Sequence, residues 1–355
     1  MSQPLLDTPR SVREGEELDT AKLAAYFEEH IEGASGPVEV WQFPSGYSNL
    51  TYLVRQGAHE YVLRRPPFGS KVKSAHDMGR EYSVLLALHP LYAPAPKPVL
   101  HCDDAAVLGA PFYLMERVHG VILREKRPEG LTVTPELTRG CCERFVGNLV
   151  DLHALDYAAA GLGPLRKEGS YVARQVKGWV DRYYKSQTDD IPALDEVATW
   201  MQANHPEDCG ACLVHNDYKF DNLVLDPEDL TQIRGVLDWE MATIGDPLME
   251  LGTVLSYWIE AGDPPAGAIA CFLTRSEGAY TRQEVVDRYL ALSGRQCDDF
   301  RFYAVFGLFK LAVILQQIYY RYKQGLTQDE RFGQLIFMVG LLGMKATQVI
   351  ETGKL

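Results

Sequence analysis

The chain has 355 residues, enough for two domains or one two-lobed domain, and is 46% hydrophobic and 23% charged, an ordinary balance for a globular protein. Its formal net charge of −13 argues against a nucleic-acid partner, which calls for a basic face. Seven cysteines, an odd number scattered through a long chain, read as reduced, cytoplasmic usage rather than a disulfide framework.

Residues 1–37 form a leader and a helix. The first twenty residues hold no apolar stretch of signal-peptide length. Asp19 caps a helix predicted over 20–31, with Leu23 and Phe27 inward, and Gly33, Gly36 and Pro37 stop it. Residues 38–118 read as a small sheet with one inserted helix. Strands are predicted at 38–43, 50–54 and 60–64, the last two forming a hairpin over Gln56-Gly57. Between the first two strands lies Pro44-Ser45-Gly46-Tyr47-Ser48-Asn49, small polar residues that suit either a plain turn or a loop folded over phosphates. Arg64 ends the third strand, which Pro66 and Pro67 prevent from continuing. A helix over 74–88 carries Glu81 in its first half. Strands at 99–102 and 111–118 complete the sheet, the latter ending Met115-Glu116-Arg117-Val118.

Residues 119–355 are mainly helical. Thr134-Pro135 starts a helix that runs to about residue 155, and His153 near its end reads as structural. Further helices are predicted at 171–186, 193–204, 247–258, 281–292, 300–323 and 329–351. The apolar segment 302–322 contains Lys310, Gln316, Gln317 and Arg321, so it reads as a buried core helix and no membrane span is expected. Cys209 and Cys212 form a lone Cys-x-x-Cys without a second pair of zinc-ribbon spacing, and no metal or redox role is expected there.

Residues 213–222 read Leu-Val-His-Asn-Asp-Tyr-Lys-Phe-Asp-Asn, and a second apolar run at 233–237 ends in Asp238. A carboxylate, an amide and a second carboxylate at two strand ends suit Mg²⁺ on a nucleotide triphosphate and the orientation of an attacking hydroxyl. Taken singly these are turn residues. The spacing His215-x-Asp217-x₄-Asn222, with Asp238 sixteen residues on, follows a sheet carrying a polar turn, a strand-end cation and a helix carboxylate.

In this order the residues resemble the protein-kinase-like fold, and more closely the aminoglycoside phosphotransferase and choline kinase-like family of small-molecule kinases, across roughly residues 38–249. The resemblance implies an α+β fold of two lobes, an N-lobe of small antiparallel sheet (38–118, nucleotide-binding) and a mainly helical C-lobe (119–355). It implies ATP and Mg²⁺ as cofactors. Asp217 would be the catalytic carboxylate, and Asn222 and Asp238 the metal ligands. Ser45, Gly46, Ser48 and Asn49 would cover the phosphates, and Arg64, paired with Glu81, would contact them. Glu116 and Val118 would hold the adenine edge through their backbone. Arg64 stands where the family has Lys, Asn216 where it often has Gly, and Trp239-Glu240 follows Asp238, which makes Glu240 a possible further acid of the metal site.

The implied reaction is transfer of the γ-phosphoryl group to a hydroxyl of a small molecule in the cytoplasm. A peptide acceptor is disfavoured, because Asp246-Pro247 opens a helix only eight residues after Asp238 and no Ala-Pro-Glu follows. The strings Tyr-Val-Leu-Arg-Arg-Pro-Pro and Val-Leu-Asp-Trp-Glu-Met-Ala-Thr-Ile-Gly-Asp-Pro are most similar to a subgroup associated with acyl-CoA dehydrogenases, which implies a hydroxyacyl-CoA acceptor. Lys71, Lys73, Arg80 and the charged loop 124–127 are candidate cations for it. An aminoglycoside or other amino-alcohol or sugar acceptor is the alternative, with Glu250, Glu260, Asp263, Asp287, Asp298 and Asp299 as candidate acids. A nucleotide-binding regulator without catalysis is the alternative outside enzymes.

Overall fold

The computed structural model describes residues 8–43, 49–68, 77–264, 270–327 and 329–355. The predicted phosphate-covering residues Ser45, Gly46 and Ser48 and the cations Lys71 and Lys73 lie outside the described residues. The chain forms two compact units, Met1–Ile122 with Asn222–Ala242, and Leu123–Asp221 with Thr243–Leu355.

The first unit is built on a five-stranded antiparallel sheet. It begins with α1 (Thr20–His30), whose N-cap Asp19 accepts from the Lys22 N–H. The strands are β1 (Val38–Gln42), β2 (Leu50–Gln56), β3 (His59–Arg65), β4 (Pro98–Cys102) and β5 (Phe112–Glu116), in the order β1-β2-β3-β5-β4. The β2–β3 hairpin turns at Gly57, whose φ of +59° lies in the left-handed region open to glycine. Leu50 faces Arg65 at the open end of that hairpin. One face of the sheet packs on Leu23 and Phe27 of α1 through Tyr52, Val54, Leu63 and Leu114. Between β3 and β4 runs α2 (Met78–Leu88), capped by Asp77, with Met78, Glu81, Val84, Leu85 and Leu88 buried. Asp104 caps a one-turn helix, α3 (Ala105–Leu108).

The segment 222–242 belongs to this unit because it bonds to it. Val121 and Leu225 form a β-bridge, and the Val236 N–H donates to the Pro94 carbonyl at 2.8 Å. Gly120 is required here, since a Cβ would lie 2.3 Å from the Leu225 carbonyl oxygen.

The second unit is helical. It contains α4 (Pro135–His153), α5 (Tyr171–Lys185), α6 (Pro192–Asn204), α7 (Pro247–Ser256), α8 (Arg282–Ser293), α9 (Arg301–Lys323) and α10 (Leu335–Thr352). Thr134 caps α4 with Pro135 at its first position, as the sequence predicts. The predicted helix 329–351 opens as a 3₁₀ turn and becomes α-helical at Leu335. Helix α9 is buried along most of its length, including Phe302, Phe306 and Phe309, and forms core. It meets α7 where Gly252 and Gly307 bring the two backbones together; a Cβ on either would lie within 2.0 Å of the other helix.

Candidate active site

In the first unit, Asn222 and Asp238 flank a hairpin of β7 (Leu223–Leu225) and β8 (Ile233–Val236), with Leu223 opposite Val236. The Leu237 N–H donates to the Asn222 carbonyl at 2.8 Å. Two residues sixteen apart in sequence therefore stand at the same end of one hairpin. Asp238 takes φ +69°, a left-handed conformation that Asp adopts more readily than bulkier residues.

Arg64, at the end of β3, joins this end of the hairpin to α2. Its Nη1 donates to Glu81 Oε1 at 2.6 Å and its Nη2 to Asp238 Oδ1 at 3.0 Å. Glu81 Oε1 also accepts from the Trp239 N–H at 3.2 Å, so one carboxylate holds both the arginine and the residue after Asp238. The Arg64 and Glu81 side chains are 6% and 1% exposed, whereas Asp238 is 31% exposed. Burial alone would lower the Arg64 pKa; the Asp238 and Glu81 carboxylates outweigh it and hold the guanidinium charged. Glu240 Oε2 accepts from the Asn49 side-chain amide at 2.8 Å and lies 3.8 Å from Arg64 Nη2. The Asn49 amide is thus occupied by Glu240 in this structure. Arg80 donates to the backbone carbonyls of Glu240 and Ala242 and so supports the hairpin exit.

Asn222 and Asp238 offer an amide oxygen and a carboxylate, hard ligands of the kind Mg²⁺ takes. Among the described residues no group of three or more His, Cys, Asp or Glu side chains is arranged to hold a metal. Glu116 closes β5, with its carboxylate 2.8 Å from Lys97 Nζ, beside an open groove of about 920 Å³ that Glu60, Arg117 and His119 also line. Val118 packs over Gly235 of β8, where a Cβ would come within 3.0 Å of its side chain.

In the second unit, β6 (Cys212–Val214) pairs with β9 (Thr243–Gly245) and delivers the chain to His215. His215 is fully buried, and its Nδ1 accepts from the Asp217 N–H at 3.2 Å. Asp217 is 2.9 Å from Lys219 Nζ, whose ammonium lies 4.7 Å from the Tyr257 ring centroid. Burial works to lower the Lys219 pKa, but the neighbouring Tyr257 and Asp217 outweigh it and hold it above the usual lysine range.

Glu250 on α7 lies beneath this loop with 1% exposure. Its Oε2 accepts from the His215 N–H at 3.0 Å and its Oε1 from the Asn216 N–H at 2.5 Å. His153 Nε2 is 2.7 Å from the same carboxylate, and its Nδ1 is 2.7 Å from the Tyr289 hydroxyl. Because a carboxylate only accepts, Nε2 carries the hydrogen facing it. Burial pushes the Glu250 pKa up, but the His153 bond and the backbone amides bring it below the usual carboxylate range. Of the other acids proposed for an acceptor, Glu260 and Asp263 pair with Arg282 and Asp299 with Arg301.

Sequence reading therefore misses Lys219 and Glu250 as the loop's support, whereas His153, read as structural, proves to be the partner of Glu250. Lys219 carried a signal, a cation two residues after the motif aspartate. Neither Glu250 nor His153 did, since their pairing crosses 97 residues. The seven cysteines are free thiols, and burial holds that of Cys209 up to about 12, outside the reactive range.

The phosphotransferase enzyme family model matches residues 39–282. The rat protein named acyl-CoA dehydrogenase family member 11 is 34% identical over 319 residues, 88% of this chain. The chain spans only 41% of that relative's own length. A crystal structure from Ralstonia eutropha, provisionally described as an aminoglycoside phosphotransferase, superposes with a TM-score of 0.78 at 30% identity, covering 94% of this chain and 99% of that one. A thermostable mutant aminoglycoside phosphotransferase in ternary complex with AMP-PNP and hygromycin B shares the fold at 15% identity, with a TM-score of 0.58 over 94% of this chain and 98% of that one.

Proposed function

The chain belongs to the phosphotransferase enzyme family, and from that premise we propose that it transfers the γ-phosphoryl group of ATP to a hydroxyl of a hydroxyacyl-CoA. Its fold is protein-kinase-like, and the coarser reading, a small-molecule kinase, follows from the family itself. The observation that carries the finer reading of the site is the arrangement around Asp238. The buried Arg64 guanidinium bridges Glu81 and the partly exposed Asp238 carboxylate, and Asn222 stands with Asp238 at the same end of one hairpin.

Asn222 and Asp238 would hold Mg²⁺, which when bound neutralises charge on the nucleotide phosphates. Arg64 has its charge fixed by two carboxylates and would meet the α- and β-phosphates, with Ser45, Gly46, Ser48 and Asn49 covering them and the Glu116 and Val118 backbone holding the adenine edge. Asp217 would orient the acceptor hydroxyl and take its proton as the new O–P bond forms and the bond from the γ-phosphorus to the bridging oxygen of ADP breaks. Lys219 holds both oxygens of Asp217 within ion-pair distance and so limits its rotamers. Catalysis of this kind rests on positioning and charge, with no covalent enzyme intermediate.

The acceptor is supported by the relatives named as acyl-CoA dehydrogenase family members, of which this chain matches a part. The rival acceptor, an amino sugar, is favoured by the Ralstonia eutropha likeness. A phosphate-transfer screen with [γ-³²P]ATP against hydroxyacyl-CoA esters, aminoglycosides, choline-like alcohols and sugars decides between them. Labelling of a hydroxyacyl-CoA alone supports the proposal, and labelling of an aminoglycoside alone overturns the acceptor. Binding of ATP with Mg²⁺ without consumption in any arm would favour a nucleotide-binding regulator.

A further inference from the structure

Asn216 precedes Asp217 and, like Asp238, has positive φ (+67°) without being glycine. Such a conformation persists where the surroundings over-determine it. Here three separate elements grip the residue. Its N–H donates to Glu250 of α7, its side-chain oxygen accepts from the Tyr171 hydroxyl of α5 at 3.1 Å, and its carbonyl accepts from Lys310 Nζ of α9 at 2.9 Å.

The third contact is the unusual one. Lys310 sits in the middle of the apolar helix α9 and is 3% exposed. Its ammonium also lies 5.7 Å from the Trp179 ring centroid. Burial lowers its pKa to about 8, with Asp217 and Glu250 pulling the other way. An apolar side chain would fill this place in the helix without the desolvation cost of a cation. The carbonyl that Lys310 holds belongs to the peptide bond leading directly into Asp217, so rotation of that peptide redirects the Asp217 side chain.

We propose that Lys310 is a positioning residue for phosphoryl transfer: from α9 it locks the Asn216–Asp217 peptide and sets the direction of the Asp217 carboxylate. This rests on the reading of Asp217 as the group that takes the hydroxyl proton. The geometric half of the claim can be tested without any acceptor.

The test compares the wild-type chain with Lys310→Met, and with Lys310→Gln, which restores a donor without the charge. Hydrogen exchange of the peptide spanning residues 213–222 is followed by mass spectrometry. Steady-state transfer is measured with whichever acceptor the screen yields. In Lys310→Met, exchange of that peptide is expected to rise about tenfold or more, as loss of a hydrogen bond to a charged group implies. The rest of the second unit keeps its protection. Turnover is expected to fall roughly 10- to 100-fold, the range for a small misplacement of a reacting group. The KM for ATP stays within about twofold, because the lost contact orients Asp217 alone, and Lys310→Gln recovers part of both losses. Unchanged exchange in the 213–222 peptide overturns the proposal. So does a rise spread evenly through α5, α7 and α9, which would make Lys310 a core-stability residue. Should Lys310→Met not fold, the same two exchange outcomes in Lys310→Gln decide. If the wild type phosphorylates nothing, the functional reading fails while the exchange arm still decides whether Lys310 locks the loop.

Discussion

Arg64 places one guanidinium nitrogen 3.0 Å from Asp238 and the other 2.6 Å from Glu81, so a single buried cation joins the proposed metal carboxylate to helix α2. A buried pair of this kind is costly to break from one side. Arg64→Met would leave Glu81, 1% exposed, as an uncompensated charge. The expected loss is about 3–5 kcal/mol in urea unfolding, and the double variant Arg64→Met/Glu81→Met should recover most of it. Equal stability of the single and double variants would show that the pair does not act as a unit.

The same contact bears on metal binding. Arg64 engages one oxygen of Asp238, and the side chain keeps 31% exposure. Asp238→Ala should therefore remove the Mg²⁺ dependence of nucleotide binding, which in the wild type should amount to roughly tenfold or more, the range for disturbing a metal site. Isothermal titration with ADP, with and without Mg²⁺, reads this directly. An equal Mg²⁺ effect in both proteins would remove Asp238 from the metal site.

Asp217 lies in a loop whose backbone is held from below by Glu250, so its side chain can change without loss of the support. Asp217→Asn should keep the fold and nucleotide affinity while lowering turnover by about 10²–10⁴, the usual contribution of a general base. Turnover at the wild-type rate in a steady-state assay would refute the assignment.

These predictions draw on residues that were unequally legible. The juxtaposition of Asn222 and Asp238 could be read because one short hairpin sets it locally. The caps Asp19 and Thr134 could be read because capping is a short-range hydrogen bond. Lys219 is equally local, two residues from the aspartate that it pairs with. Glu250 and His153 could not be read that way. A carboxylate on a helix looks like a solvated charge until the fold brings two backbone amides and an imidazole to it. The short strands β7 and β9 were equally hidden, since three residues carry no period and their pairing is supplied by distant partners. In the sequence Lys310 reads only as a charge interrupting an apolar segment. Its partner, a backbone carbonyl 94 residues away, leaves no trace in composition.

The energetic cost of keeping Lys310 charged supplies the last prediction. In the unfolded chain its pKa is about 10.4; in the folded protein burial lowers it to about 8. The groups facing it are the carboxylates of Asp217 and Glu250, which favour the charge, the cations Lys219 and Arg182, which oppose it, and the Trp179 ring. Between the two pKa values the unfolded chain holds a proton that the folded protein has released, so the unfolded state binds more protons and stability rises with pH. Below pH about 8 both states are protonated and the full cost of the buried cation is present. Lys310→Met carries none of it. Wild-type stability minus that of Lys310→Met should therefore increase by roughly 1–2 kcal/mol between about pH 7.5 and about pH 9.5. The raised tyrosine and cysteine groups common to both proteins cancel in the difference. Urea unfolding of the two proteins across this interval makes the measurement, and a difference that stays flat or falls with pH would mean that Lys310 is not held as a buried cation.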